Sequence, residues 1–242
     1  MARQGNTSNA VMASRRSAAS SLDFFPTPPW ATRALVEEVL APEFLHGLDY
    51  GCHQGEVWDP CCGAGHMAIP LAEYFGTVRA TDVNDWGFGA DRNLDFTMAT
   101  RESAGELPAW IIANPPFVLA ERFVDRALTI ATEGVAMLLR LQWLEGGDRY
   151  ELIFKGDRKP SLFCPFVERV PMIDGCWDPE ATTATAYAWF VWDAEGTAPR
   201  RTPIMHIPPG MALRYTRPVD EALANRGEAA RRRAAQRQVE EV

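Results

Sequence analysis

Two apolar segments constrain the fold of this chain most: Trp110–Ala113 and the run from Val135 to Leu141. The second reads as a strand buried on both faces, because it lacks the polar–apolar alternation of a half-solvated sheet. Between them, Leu119 to Ala131 has helical periodicity. The same alternation recurs on either side. Val57-Trp58 reads as a short strand, followed by a helix from His66 to about Phe75 with Gly76 as its C-cap, then a strand over Thr77–Asp82. A weak strand ends near Leu94-Asp95-Phe96. Trp143 to Phe154 reads as a helix, and Phe163–Val170 and Thr185–Trp192 as the last two strands. Strands alternating with helices at these spacings give an open parallel or mixed α/β sheet.

The 242 residues suit one domain with appendages. Residues 1–21 are rich in Ser, Ala and Asn and contain no acid, and they read as a disordered tail. The domain proper is expected over residues 22–216, opening with a helix from Ala31 to Leu40 and a Gly-rich connector over residues 46–56. Residues 217–242 mix six arginines with five acids and read as a solvated charged tail. No apolar run reaches membrane-span length and no signal-like segment opens the chain, so a cytoplasmic protein is expected. Five cysteines without Cys-x-x-Cys spacing point to reduced thiols and no metal site. A net charge of −8 argues against DNA binding by the whole surface and leaves room for a local basic cleft.

Ligands of open α/β sheets bind outside the carboxyl ends of the strands. Three motifs fall there: Asp59 to Gly65, Asp82, and Asn114-Pro115-Pro116-Phe117. The last is rich in acceptors. Asn114 offers a side-chain carbonyl, the prolines add carbonyls without N–H donors, and Phe117 offers a flat face for a ring. Alone, this tetrapeptide reads equally well as a strand-ending turn with a core Phe. Gly63-Ala64-Gly65 has neither the Lys-Ser/Thr of a phosphate-cradling loop nor a third glycine for a dinucleotide fingerprint. Asp82, seventeen residues beyond Gly65, stands where a carboxylate can accept from ribose hydroxyls.

Asp59-Pro60-Cys61-Cys62-Gly63-Ala64-Gly65, Asp82, Phe24-Phe25-Pro26-Thr27-Pro28 and Asn114 to Phe117 together resemble the class I S-adenosylmethionine-dependent methyltransferases of exocyclic amines. The resemblance spans roughly residues 22–193. The order of the motifs is similar to that of DNA adenine-N6 methyltransferases, small phage and prophage members among them. It implies a Rossmann-like fold with a single open, mostly parallel seven-stranded sheet and helices on both faces. S-adenosylmethionine is the implied cofactor. Asp59, Pro60, Gly63 and Gly65 would hold its methionine moiety and Asp82 its ribose. Asp95 and Phe96 would flank its adenine, and Phe25 and Thr27 would close over it. Asp95 reads equally as a loop-capping acid, and Phe25 as core.

The chemistry implied is methyl transfer to the N6 amine of a DNA adenine, taken from the stack into the Asn114–Phe117 pocket. The Asn114 side-chain oxygen and the Pro115 carbonyl would accept the amino hydrogens, Pro116 would shape the turn, and Phe117 would stack on the base. No general base is evident, and His66 reads as a helix-start residue. Cytosine-N4 in DNA, RNA exocyclic amines and a protein glutamine amide suit the same motif. A cofactor-binding phage protein without transferase activity is the rival of a different class. The sequence leaves open the target sequence and oligomeric state.

Overall fold

The computed structural model describes residues 23–45, 52–88, 92–155, 158–194 and 201–240. The expected N-terminal tail, residues 1–21, lies outside them, as does most of the connector. Seven strands form one sheet in the order β3-β2-β1-β4-β5-β7-β6. They are β1 His53–Asp59, β2 Phe75–Asp82, β3 Arg92–Asn93, β4 Trp110–Ala113, β5 Gly134–Arg140, β6 Leu162–Pro165 and β7 Tyr187–Asp193. β3, β2, β1, β4 and β5 pair in parallel, and β7 runs antiparallel to both of its neighbours.

Two-sided burial of the central strands follows from side chains alternating across the sheet. Trp110 and Ile112 of β4, Ala136 and Leu138 of β5, and Trp189 and Val191 of β7 enter one core. That core is capped by α1, Pro29–Leu35, and its π-helical continuation Val36–Leu40. Ile111 and Ala113, Val135 and Met137, and Ala188 and Phe190 enter the other. There they meet Phe123, Val124, Ala127 and Ile130 of α3, Ala120–Ile130. These strands read as apolar runs because both faces are covered. The free edge of β6 is shielded by residues 203–207, through Phe163 N–H to Pro203 O at 3.0 Å and Ile207 N–H to Pro165 O at 3.0 Å.

Several expected elements differ in the structure. The helix after the glycine loop is short, α2 being Ala68–Leu71, and Phe75 and Gly76 already belong to β2. Gly76 therefore caps nothing; the backbone closes the helix itself, with Ala72 N–H bonding back to Ala68 and Ile69. β1 begins at His53, inside the expected connector, because its first half pairs with β2 from Phe75 onward. The expected helix over 143–154 is broken into a 3-10 turn Leu141–Leu144, a single turn Gly147–Arg149 and a π-helical turn Tyr150–Phe154. Gly146, at φ 133°, makes the break.

Residues 217–240 are also more than a solvated tail. Arg33, fully buried on α1, holds both oxygens of Asp220 at 2.7 and 2.8 Å and those of Glu73 at 2.7 and 2.9 Å. Asp178, 1% exposed, accepts from Gly227 and Ala229 at the start of α4, Glu228–Glu240. The buried Arg33–Asp220 ion pair and the Asp178 hydrogen bonds tie the segment to the domain, because removing one partner strands a buried charge. The charge pattern that suggested a tail is in part the signature of this attachment.

Candidate functional site

After β1 the chain steps outward to β2 and β3, then returns to place β4 on the other side of β1. The reversal opens a crevice between the carboxyl ends of β1 and β4. Asp59 is the last residue of β1 and Asn114 the first after β4. A cavity of about 370 Å³ lies at this reversal. Of the expected cofactor residues, Phe25, Thr27, Asp59, Pro60, Gly63 and Asp82 line it, as do Asp95 and Phe96. Asn114 and Pro116 line it from the acceptor side.

The orientation of Asn114 is fixed by its partners. Its Nδ2 donates to the Phe25 carbonyl at 2.8 Å and lies 3.6 Å from the Met172 sulfur. Both are acceptors, so the amide nitrogen must face them. The side-chain oxygen is left with no donor among the described residues, on a residue that lines the cavity. Pro115 is buried, and no described group donates to its carbonyl. Pro115 does not line the cavity, so of the two expected acceptors only the Asn114 oxygen belongs to a residue on the cavity wall.

Asp59 is 1% exposed. One oxygen accepts weakly from Cys61 N–H at 3.3 Å, and the other is buried with no partner. Burial, with Asp82 nearby, pushes its carboxyl up to about 8. His66 also faces the cavity, although the sequence suggested only a helix start. Its Nε2 lies 3.1 Å from the Leu223 carbonyl, which can only accept, so Nε2 carries the proton. Burial lowers its pKa and keeps the ring neutral, leaving a buried Nδ1 lone pair without a partner. Asp59 and His66 both border the cavity, each with a buried polar atom that has no partner, and a cationic, donor-rich group placed there would satisfy both and draw Asp59 to its carboxylate form. The Cys61 thiol is pushed well up by burial and so is no nucleophile.

Asp82 is more engaged than the sequence suggested. It accepts from Gly63 N–H at 3.0 Å, Asn84 N–H at 2.9 Å and the Trp86 indole at 3.1 Å. Trp86 in turn stacks on Phe24, ring centroids 4.2 Å apart. The glycines are used for close approach, but to aromatic rings. A Cβ on Gly63 would stand 2.5 Å from Phe24, and one on Gly65 would stand 2.2 Å from Phe88. Gly65, at φ 84°, does not line the cavity; its role is to turn the chain beneath Phe88.

Phe117 also lies off the cavity wall. The Arg140 guanidinium sits over its ring at 3.6 Å, with Phe25 and Tyr187 rings 5.5 and 6.5 Å away. Its N–H donates to Asp23 at 2.7 Å. Asp95 caps the turn Phe96–Met98 by accepting from Thr97 N–H at 2.9 Å, yet it borders the cavity as well. Phe96 is 1% exposed and packs against Trp58 and Phe123, so it is a core ring with an edge on the cavity. Asp23, His66, Trp86 and Arg140 were not among the expected site residues. Only Arg140 carried a signal, as the single charge inside an apolar strand. Among the described residues no group of His, Cys, Asp and Glu could hold a metal. No helix among them is long and apolar enough to cross a membrane.

No protein-family profile matches the sequence, and no curated protein does. Solved structures do. A protein assigned as the modification subunit of a type I restriction enzyme from Vibrio vulnificus aligns with a TM-score of 0.50 and 13% identity, over 81% of this chain. This chain spans 49% of that protein's length. A protein assigned as a class I S-adenosylmethionine-dependent methyltransferase from Listeria monocytogenes aligns at 0.49 and 10% identity, over 89% of this chain and 75% of the other. One assigned as an RNA methyltransferase from Pyrococcus horikoshii aligns at 0.48 and 13%, over 76% of this chain and 95% of the other. The likeness to the Vibrio protein agrees with the seven-stranded sheet in identifying a Rossmann-like open α/β fold.

Proposed function

We propose that this chain is an S-adenosylmethionine-dependent methyltransferase that modifies the exocyclic N6 amine of adenine in DNA. One observation carries the reading: a single crevice joins an orphaned buried carboxylate at Asp59 to the open amide oxygen of Asn114. The first suits a cationic ligand, and the second suits the hydrogens of a planar amine.

Asp59 and His66 Nδ1 accept from the α-ammonium of the cofactor, with Pro60 and Gly63 shaping the loop around it. Binding a cation drives Asp59 to its carboxylate form, with release of a proton. Asp82 takes a ribose hydroxyl in place of the Trp86 indole, and Asp95 accepts from the adenine amino group. Phe25 and Thr27 form the near wall. When bound, S-adenosylmethionine supplies an electrophilic sulfonium methyl. Asn114 Oδ1 and the Pro115 carbonyl would accept the two amine hydrogens and aim the nitrogen lone pair at that methyl; as the N–C bond formed the C–S bond would break, and the surplus amine proton would pass to water. Removing the base from the duplex costs a few kcal/mol, and Phe117 stacks on it only once Arg140 has left its ring. Alignment of this kind lowers a barrier by on the order of 7–11 kcal/mol.

The test is incubation with methyl-labelled cofactor and DNA, RNA or protein, followed by mass spectrometry of the digested products. Label in N6-methyldeoxyadenosine is expected. Label only in N4-methyldeoxycytidine, in RNA or in glutamine would move the acceptor, and no label in any of them would refute transferase activity.

A further inference from the structure

The last helix carries charge that the fold does not consume. From Ala229 to Val239 the chain has four arginines and no acid, within a protein of net charge −8. Residues 230–239 are all exposed. Arg231 and Arg232 direct part of their charge to Glu228, at 2.9 and 2.8 Å. Arg233 and Arg237 make no hydrogen bond or ion pair with any described residue. They lie one turn apart on the stripe that begins at Ala229, the helix residue buried against the domain. The helix has no apolar face to explain why it continues beyond that anchor.

Its root stands beside the acceptor end of the crevice. Arg232 donates to the Asp174 carbonyl at 2.7 Å, and Gly175 N–H donates to the Phe24 carbonyl at 2.7 Å. Three residues earlier, Met172 touches the Asn114 amide. One short loop thus joins the basic helix to the residue that would hold the acceptor amine.

We propose that α4 is a DNA-backbone arm, in which Arg233 and Arg237 contact neighbouring phosphates of the duplex that presents its base to Asn114. The inference rests on the DNA reading above and extends it to a surface. Guanidinium groups pair with phosphate oxygens in a planar, two-bonded fashion. Residues at i and i+4 are about 6 Å apart at Cβ, which lets both side chains reach adjacent phosphates. Thirteen residues span about 20 Å, roughly six base-pair steps. The absence of an apolar stripe excludes insertion into a membrane surface.

The test is duplex-DNA binding by fluorescence anisotropy across a salt series, with full-length wild type and the R233E/R237E double variant. Losing two phosphate contacts should lower the salt slope by about 1.8 and weaken binding about 10- to 100-fold at low salt. R233K/R237K should keep the slope, and cofactor affinity should be equal in all three proteins. Methylation of free deoxyadenosine, too small to reach the arm, reads the catalytic assignment separately and should not change in R233E/R237E. Equal slopes for wild type and R233E/R237E would overturn the proposal, as would a wild-type chain that binds no duplex while still methylating the nucleoside.

Discussion

Replacing Asp59 with Asn should stabilise the ligand-free protein and abolish cofactor binding. The Asp59 carboxyl ionises near 3.8 in an unfolded chain and at about 8 in the folded one. The native state therefore holds its proton more tightly. The stabilisation from that proton is complete below about pH 4 and is lost as pH rises towards about 8. At 1.36 kcal/mol for each tenfold change, the whole swing is about 6 kcal/mol, an upper bound for a group that relaxation and water can reach. The Asp59→Asn side chain would keep the acceptor for Cys61 N–H and carry no titrating charge. Its buried NH2 would cost about 1–3 kcal/mol for want of a partner. The net gain at about pH 8.5 is then about 3 kcal/mol, falling to nothing near pH 5. Urea unfolding followed by tryptophan fluorescence at about pH 5 and 8.5 measures this directly. Wild type should lose stability between those values, and the variant should not. A wild type of equal stability at both pH values, or a variant weaker than wild type at the higher one, would refute this account of Asp59. Calorimetry should also show proton release when wild type binds cofactor, with affinity rising up to about tenfold per unit from about pH 5.5 to 7.5.

Three further outcomes follow from the geometry. Trp86→Phe frees one acceptor position on the Asp82 oxygen that its indole shares with Asn84 N–H, and relief of one hydrogen bond of about 1 kcal/mol should tighten cofactor binding about fivefold by calorimetry; weaker binding would show that the indole belongs to the ligand site. Arg33→Ala leaves Asp220 buried without its partner, and should cost about 3–5 kcal/mol in urea unfolding; a loss below about 1 kcal/mol would mean that the C-terminal segment is not held this way. Gly65→Ala forces a side chain into positive φ and against the Phe88 ring, and should lower stability by at least about 1–2 kcal/mol, read as a drop in the thermal midpoint; an unchanged midpoint would show that the turn is not strained.

The sheet was legible where burial is two-sided. β4 was placed residue for residue, and β5 to within one, because apolar runs of that length flanked by turns have few other solutions. Asp59, Asp82 and Asn114 were legible for a related reason, as polar residues standing at the ends of such runs. The segment over 83–95 was not, since it has no periodicity, and Trp86 finds its stacking partner Phe24 far away in sequence. The pairing of Arg33 with Asp220, 187 residues apart, is likewise invisible to local pattern, so a docked segment read as a charged tail. His66 was discounted because its partner is a backbone carbonyl, and a carbonyl leaves no trace in composition. The glycine loop is also packed against two of the chain's own rings, Phe24 and Phe88, partners that no local pattern announces.

The proposed reaction depends above all on a crevice that holds a cation at Asp59 and a planar amine at Asn114. Single-turnover methyl transfer to duplex DNA, compared between wild type and Asn114→Ala at saturating cofactor, addresses the amine end most directly. Wild type should transfer label to adenine, and the variant should bind cofactor equally while transferring at least about 100-fold more slowly. Equal transfer rates in the two proteins would contradict the assignment of Asn114, and with it the proposed mechanism.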